Sequence, residues 1–235
     1  QITDRVNWIK EVLESAGAKG VVFGASGGKD SALVGILCRM ATDKVTGVIM
    51  PCQSSRNYTI DRDHALMISK LYDINIAEVD LTEAKEALEK HLRPICENQN
   101  PMAYANINPR LRMITLYNYA ARNGYLVAGT GNRSELTMGY YTKFGDGAFD
   151  FNPIADLTVR EIYIMLRYLE VPKEIIEKAP SAGLYEGQTD EQEMGITYDE
   201  IDDYLLEGKA TEEVKAKIEA AYAKNAHKRQ LGRVY

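Results

Sequence analysis

The chain has 235 residues and a formal net charge of −6, with 34 acidic and 28 basic side chains. This acidic balance argues against nucleic-acid binding as the main role, and no apolar run approaches the ~18 residues of a membrane span. Three cysteines without CxxC spacing indicate neither a disulfide framework nor a zinc site, so we expect a cytoplasmic protein without membrane or nucleic-acid partners.

The chain begins with a helix and a strand that leads into a glycine-rich loop. Apolar residues recur at helical spacing over residues 2–16, and Gly17 ends the pattern. A β-branched run at 21–23 stops at Gly24, and a second helical pattern covers residues 30–40. This is the pattern of a strand, a tight turn and a helix, and its glycines and helix N-terminus favour a bound phosphate.

The residues of the loop indicate which class of phosphate-binding protein this is. Lys29 is followed by Asp30, which excludes the Walker A pattern, and the dinucleotide pattern GxGxxG is absent. The run from Ser26 to Ser31 instead resembles the SGGxDS loop of the adenine nucleotide alpha hydrolases, which cleave ATP between its α- and β-phosphates. On this loop alone, an ordinary glycine turn without a ligand stays an alternative.

A serine hydrolase is a second interpretation of the same loop. Gly24, Ser26 and Gly28 fit the GxSxG nucleophile elbow, which needs an acid and then a histidine later in the chain. Of the three histidines only His227 lies comfortably late. Because an Asp-led helix suits a metal-bound triphosphate better than a serine nucleophile, we favour the nucleotide.

After the loop helix, strands and helices alternate. One strand pattern ends at Pro51, polar residues 52–57 follow it, and the next strand pattern ends at Asp80. Such alternation predicts an α/β fold, a Rossmann-like doubly wound parallel sheet with helices on both faces. Ligands bind such sheets at the carboxyl ends of the strands, where these loops lie. The predicted elements are strand 45–50, helix 59–72, strand 74–79 and helix 82–95 with Thr82 as its N-cap.

The middle of the chain carries a pair of arginines. Polarity and prolines predict an irregular connection at 98–109, followed by a long helix that ends near Arg122. Arg110 and Arg112 are two positions apart and do not share a helix face, so we expect them to do different jobs. Solvated surface arginines are the plainer alternative.

A fourth strand, predicted at 125–128, leads into the segment GTGNRSE. This places Thr130 at the binding edge and Glu135 about one turn into the next short helix. Glu135 and Asp30 would then be two hard oxygen ligands for one Mg²⁺. A solvated glutamate is the alternative, but its position here favours the metal.

The last third contains two long loops and several helices. Residues 139–151 are rich in glycine and aromatics and carry the polar heads Lys143, Asp146 and Asp150, which predicts a functional or mobile loop. Residues 180–195 form a second polar loop, which we expect to be mobile or disordered without ligand. The predicted helices are 156–168 with Thr158 as N-cap, 172–178, 198–206 and 211–224, followed by the basic tail 227–229.

With these motifs in hand, the chain resembles the ammonia-dependent NAD synthetases over nearly its whole length. The segments that carry the resemblance are 24–31, 110–113, 139–150, 195–205 and 227–229. The first is shared by the whole superfamily, and the others taken together are specific to this family. The resemblance implies one synthetase domain over residues 1–235 without a glutaminase domain, free ammonia as nitrogen donor, and a homodimer.

The family reaction and its residues are implied in the same way. ATP adenylylates the nicotinate carboxylate of deamido-NAD, pyrophosphate leaves, and ammonia attacks the acyl adenylate to give NAD and AMP. Family roles carried over position by position assign ATP to Gly24, Ala25, Ser26, Gly27, Gly28, Lys29, Asp30, Ser31, Thr130 and Ser181. They assign Mg²⁺ to Asp30 and Glu135, and deamido-NAD to Arg110, Lys143, Asp150, His227 and Lys228. For the second step we expect Asp146, a carboxylate in the loop 139–151, to hold the ammonium as it loses its proton.

Three positions depart from the family pattern. Lys29 stands where many members have Gln, Ser181 where many have Thr, and Val159 where many have a Lys that contacts ATP. Loss of that lysine affects the triphosphate contacts after Thr158, and our hypothesis is that Lys29 compensates. An unchanged KM for ATP in Lys29→Ala would count against it.

Other classes remain as alternatives to the synthetase. One is another amidating or thiolating member of the superfamily, such as a GMP synthetase subunit or a tRNA thiolation enzyme, but the basic face or zinc-type cysteines of the latter are missing. Another is a nucleotide-binding regulatory module, which need not keep Glu135 or Lys143, although both are present.

Overall fold

The computed structural model describes residues 1–53, 59–96, 100–178, 190–230 and 232. Its strands are β1 Gly20–Gly24, β2 Val45–Ile49, β3 Asn75–Glu78 and β4 Tyr125–Ala128. Its helices are α1 Ile2–Ser15, α2 Lys29–Ala41, α3 Ile60–Tyr72, α4 Thr82–Leu92, α5 Pro101–Ala105, α6 Ile107–Asn123, α7 Arg133–Met138, α8 Val159–Tyr168, α9 Lys173–Ile176, α10 Asp190–Met194, α11 Tyr198–Glu207 and α12 Glu212–Lys224, with 3-10 turns at Arg93–Ile95 and Ala226–Arg229. Within these ranges no helix is both long and apolar enough to cross a membrane.

The strands form one parallel sheet in the order β3-β2-β1-β4. Strand β1 lies in the middle, with Gly24 opposite Val48 of β2 and Phe23 opposite Ala128 of β4. Because every described strand pair is parallel, the carboxyl ends and the loops that follow them share one edge. The prediction of an α/β fold with a parallel sheet is confirmed.

Helices cover both faces of the sheet. Val21 and Phe23 of β1 join an apolar cluster with α1, α2, α3 and α8, whereas Val22 joins a second cluster with α6. This division follows from the two-residue period of a strand, which sends neighbouring side chains to opposite faces. A third cluster, which includes Met138 and Ile201, packs α11 and α12 against α7 and α8. The doubly wound arrangement predicted from the sequence is therefore present.

The prediction of an irregular connection at 98–109 is wrong from residue 100 onward, because α5 and the start of α6 lie there, and residues 98 and 99 lie outside the described chain. The Asn100 side chain caps α5 by accepting hydrogen bonds from two backbone amides at 3.0 and 3.3 Å. Pro101 takes the first helical position, where a proline removes no helical hydrogen bond. Pro109 similarly lies in the first turn of α6, which begins at Ile107. Pro101 and Pro109, which in the sequence indicate irregular chain, thus lie in the first turns of helices.

Other boundaries differ by a few residues. Thr82 is the first residue of α4 rather than its N-cap, and its amide donates to the Asp80 carboxylate at 2.9 Å. Thr158 is an N-cap as predicted and forms a capping box, but the residues before it are not helical. The loop predicted at 180–195 lies outside the described residues up to 189, and its last part is wrong because α10 is helical.

Candidate active site

A cleft of about 630 Å³ opens at the carboxyl edge of the sheet. The loop after β1, the end of β2 and the residues after β4 form its floor, and α6, the loop 139–151 and the basic tail form its walls. This volume lies within the range of about 300–1,000 Å³ that is usual for small-molecule sites. The predicted phosphate loop thus lines the same cleft as Glu135 and the predicted substrate-binding cations Arg110, Lys143 and Lys228.

The glycine loop turns sharply between β1 and α2. Gly27 has a φ of +69°, and its backbone lies against the carbonyl oxygen of Asp61. The Ser26 hydroxyl donates to the Ser31 hydroxyl at 3.0 Å, and Ser31 donates to the Gly28 carbonyl at 3.0 Å. Gly28 is the N-cap of α2 and supplies no side-chain cap. The amides of the first helical turn therefore remain suited to bind an anion.

A largely buried ion pair, which the sequence does not predict, supports this loop. The Lys178 ammonium lies 2.6 Å from the Asp61 carboxylate and donates to the Gly27 carbonyl at 3.1 Å. The two side chains are 13% and 12% exposed. They are 117 positions apart in the chain, so no local pattern could have paired them.

Asn132 links the two carboxylates that were predicted to bind metal. Its side-chain amide donates to Asp30 at 3.2 Å, and its backbone amide donates to Glu135 at 3.0 Å. Its side-chain oxygen accepts from the Glu135 amide at 2.9 Å, which completes a capping box at the start of α7. Sequence analysis did not assign Asn132 a role, although an asparagine three positions before a glutamate resembles the capping-box spacing.

The electrostatics of this pair depend on Lys29. Burial and the neighbouring Asp30 charge raise the pKa of Glu135 well above its ordinary value, and Lys29 opposes that rise. Lys29 is only 5% exposed, and its ammonium lies 2.8 Å from the Asp30 carboxylate. Burial alone would lower the pKa of Lys29, but the Asp30 and Glu135 charges outweigh it and the pKa is raised. Two close carboxylates are thus compensated by one ammonium.

The donor set fits a magnesium ion that is shared with phosphates. Among the described residues, no group of three or more His, Cys, Asp and Glu side chains could hold a metal ion. Asp30 and Glu135 offer only two carboxylates. Mg²⁺ typically binds one or two carboxylates and completes its octahedron with waters and substrate phosphates. The pair therefore suits a metal that arrives with a nucleotide.

Cationic residues line the opposite wall of the cleft. Lys143 donates from its ammonium to the His227 carbonyl at 2.5 Å, and Lys228 donates to two carbonyls of the loop 139–151 at 2.7 and 2.8 Å. Arg110 is exposed and donates to the Lys143 carbonyl at 3.4 Å. These contacts tie the basic tail to the loop and create a positive wall for an anionic substrate.

Thr130 and Asp150 are two further predicted site residues that the structure describes. Thr130 lines the cleft. Asp150 accepts a hydrogen bond from the Val127 amide at 2.7 Å and another from Tyr117, and it is not among the cleft-lining residues of the described chain. Ser181 lies outside the described residues. The structure thus groups most of the predicted site and separates Asp150 from it.

Asp146 and Arg112 both line the cleft, and their opposite charges attract each other. Asp146 accepts a hydrogen bond from the Thr142 amide at 2.9 Å, and desolvation by the surrounding protein raises the pKa of its carboxyl group. Arg112 points inward and donates to the Met50 carbonyl at 3.2 Å, unlike the exposed Arg110. The two arginines therefore occupy different environments, as their spacing predicts.

Known proteins that resemble this chain in sequence and fold include several NAD synthetases. A family model described as NAD synthase matches residues 1–232. The NH(3)-dependent NAD(+) synthetase of Carboxydothermus hydrogenoformans is 46% identical over 231 residues, which cover 97% of this chain and 94% of that protein. Among solved structures, NMN synthetase from Francisella tularensis has a TM-score of 0.94 and 36% identity, covering 100% of this chain and 96% of that one. The NH3-dependent NAD synthetase from Campylobacter jejuni, solved with nitrate, has a TM-score of 0.81 and 31% identity over the same shares. Since sequence and fold agree over nearly the whole length, the chain belongs to the NAD synthase family.

Proposed function

We propose that this chain makes NAD by amidating deamido-NAD with ammonia, using ATP and releasing AMP and pyrophosphate. The observation that carries the proposal is the convergence of a phosphate loop, two carboxylates and a cationic wall on one cleft in a member of the NAD synthase family. The Carboxydothermus relative, named for its dependence on NH(3), supports free ammonia as the nitrogen donor.

The reaction needs no protein nucleophile. In the first step a nicotinate carboxylate oxygen attacks the α-phosphorus of ATP, and the bond to pyrophosphate breaks. In the second, ammonia attacks the acyl carbon and AMP leaves. Because both substrates are anions, the main tasks of the protein are to neutralise and align them. We assign the phosphates to the loop amides and the deamido-NAD to Arg110, Lys143 and Lys228 on the facing wall.

We propose that Asp30 and Glu135 hold the Mg²⁺ that accompanies ATP. The support is their shared contact with Asn132 and their position in the cleft beside the phosphate loop. When bound, the ion supplies positive charge to the phosphate oxygens of the nucleotide and its leaving group. Asn132 donates hydrogen bonds to both carboxylates, and the Lys29 ammonium lies 2.8 Å from the carboxylate of Asp30.

The direct test is NAD formation from deamido-NAD, ATP and magnesium, with ammonium in one reaction and glutamine in another. We expect turnover with ammonium and none with glutamine alone. Absence of turnover with both donors, from protein shown to be folded, would contradict the proposed reaction. A screen for substrates that trigger pyrophosphate release would then replace it.

A second candidate substrate is the mononucleotide acid, nicotinate mononucleotide. It is favoured by the Francisella structure, a protein named NMN synthetase, whose TM-score of 0.94 exceeds the 0.81 of the Campylobacter NAD synthetase. Comparing kcat/KM for the mononucleotide and the dinucleotide decides between the two. We expect the dinucleotide to be preferred because the curated relatives of 40–46% identity carry the NAD(+) synthetase name.

Asp146 is our candidate for accepting the ammonium proton. Asp146→Asn keeps an acceptor for the Thr142 amide but removes the base, so we expect kcat to fall about 10²-fold and the KM for ammonium to rise. The same change in Asp80, which also accepts a backbone amide but does not line the cleft, is the matched control. Steady-state kinetics with varied ammonium measures both; normal kcat and KM in Asp146→Asn would exclude the role.

We also propose a homodimer and a cytoplasmic location. The dimer rests on the family resemblance, and sedimentation of a monomer at micromolar concentration would contradict it. The location is supported by the cysteines, since Cys38, Cys52 and Cys96 are all free thiols. A chain with three unpaired thiols suits a reducing compartment.

A further inference from the structure

Lys29 is buried inside the site although it begins the helix that follows the phosphate loop. Its side chain is 5% exposed, its ammonium lies 2.8 Å from the Asp30 carboxylate, and the centroid of the Tyr198 ring lies 5.5 Å away. Lysines are almost never buried to this degree without a charged partner. Its position therefore depends on the acidic groups around it.

The acidic groups that act on Lys29 and Glu135 come from three separate elements. Asp30 belongs to α2 and Glu135 to α7, and Asn132 links them by hydrogen bonds. Asp190 of α10 is 4% exposed, accepts a hydrogen bond from the Tyr198 hydroxyl at 3.1 Å, and adds its negative charge to the field at Glu135. The Lys29 ammonium is therefore subject to the negative charges of both Asp30 and Glu135.

We propose that the Lys29 ammonium is a built-in counter-ion that holds Asp30 and Glu135 together before nucleotide binds and weakens the binding of a free divalent cation to them. The inference rests on the proposed Mg²⁺ role of these two carboxylates. Lys29 is then a positioning residue, because it acts through Asp30 and Glu135.

The balance of charge among Lys29, Asp30 and Glu135 explains both effects. Two carboxylates that share Asn132 as a hydrogen-bond partner repel each other. The Lys29 ammonium, which contacts Asp30 and is attracted by the charge of Glu135, removes much of that repulsion. The same ammonium repels a divalent cation that approaches the same oxygens. A cation that arrives bound to the triphosphate is accompanied by the negative charges of the phosphates. The Lys29 ammonium therefore repels this complex less than it repels the free cation. The arrangement favours entry of the metal as a nucleotide complex over entry of the free ion.

Two opposite effects should follow when the charge of Lys29 is removed. Lys29→Gln should lower the melting temperature in EDTA, and millimolar Mg²⁺ should restore it, whereas the wild type should respond little to Mg²⁺. The variant should also bind free Mn²⁺, measured by electron paramagnetic resonance without ATP, about tenfold more tightly. A lysine that only contacted ATP would leave the affinity for the free ion unchanged.

Three further variants sharpen the test. Lys29→Arg keeps the charge and should keep the weak Mn²⁺ affinity. Lys85→Gln removes another buried lysine, which is 3% exposed and lies 3.8 Å from the Tyr104 ring centroid, and should lose stability that Mg²⁺ does not restore. If Lys29→Gln fails to fold in EDTA, the double variant Lys29→Gln with Glu135→Gln should fold, because one negative charge is removed with the positive one.

Equal Mn²⁺ affinity of the wild type and Lys29→Gln would overturn the inference, as would a loss of stability that neither Mg²⁺ nor the second substitution reverses. NAD formation by the wild type is assayed on the same preparation. Metal effects without NAD formation would contradict the proposed reaction alone, and NAD formation without metal effects would contradict the counter-ion alone.

Discussion

Glu135→Gln should lower the rate of NAD formation about 10²-fold or more, because a preorganised charge that supports transfer of the adenylyl group is removed. Glutamine at this position can still accept the hydrogen bond of the Asn132 amide, so the capping box of α7 survives. The substitution therefore separates charge from structure. The measurement is kcat for NAD formation across a magnesium titration, and we expect the apparent magnesium requirement to rise.

Glu161→Gln provides a matched control for this prediction. Glu161 holds the corresponding position in the capping box of α8, where its carboxylate accepts from the Thr158 amide at 2.9 Å. It does not line the cleft in the described chain, so its variant should keep kcat and the magnesium requirement. A Glu135→Gln enzyme as active as the Glu161→Gln enzyme would contradict the assignment of Glu135 to the metal.

The parts of the site that sequence predicted are those that follow from sheet geometry. Asp30 and Glu135 lie far apart in the chain, but each follows a strand by a few residues, and β1 and β4 are parallel neighbours. Two loops at the same edge of adjacent parallel strands must lie close together. The resemblance to NAD synthetases, which was based on the loop motifs and the later segments, is confirmed by the family match.

The parts that sequence did not predict depend on contacts between distant elements. The pairing of Lys178 with Asp61 requires the segment after α9 to meet the start of α3, which no periodicity predicts. Lys29 also lies 5.5 Å from the ring of Tyr198, which begins the distant helix α11. The deamido-NAD role of Asp150 stays a prediction, and in the structure its carboxylate accepts a hydrogen bond from the Val127 amide. Sequence motifs thus indicate which residue types belong to a site better than they indicate which contacts each side chain makes.

Gly27→Ala should destabilise the protein by about 3 kcal/mol and abolish measurable ATP binding. A Cβ at this position would lie 2.1 Å from the backbone carbonyl oxygen of Asp61, and backbone cannot move aside as the end of a flexible side chain can. The φ of +69° adds a second cost of about 1 kcal/mol for any residue with a Cβ. Because Lys178 also binds the Gly27 carbonyl, displacement of the loop disturbs the ion pair behind it. Urea unfolding and ATP titration measure the two effects.

Two alanine controls separate the causes of this loss. Gly208 has a φ of +68° with no atom within 4 Å of an added Cβ, so Gly208→Ala should show only the backbone cost of about 1 kcal/mol. Gly28 has a negative φ, and an added Cβ would only reach the Ser26 hydroxyl at 3.5 Å, so Gly28→Ala should keep the stability of the wild type. The excess loss in Gly27→Ala over Gly208→Ala then measures the overlap with Asp61. If the two variants lose the same stability, the loop can shift away from α3, and the close packing of Gly27 on Asp61 is not what holds the phosphate loop in shape.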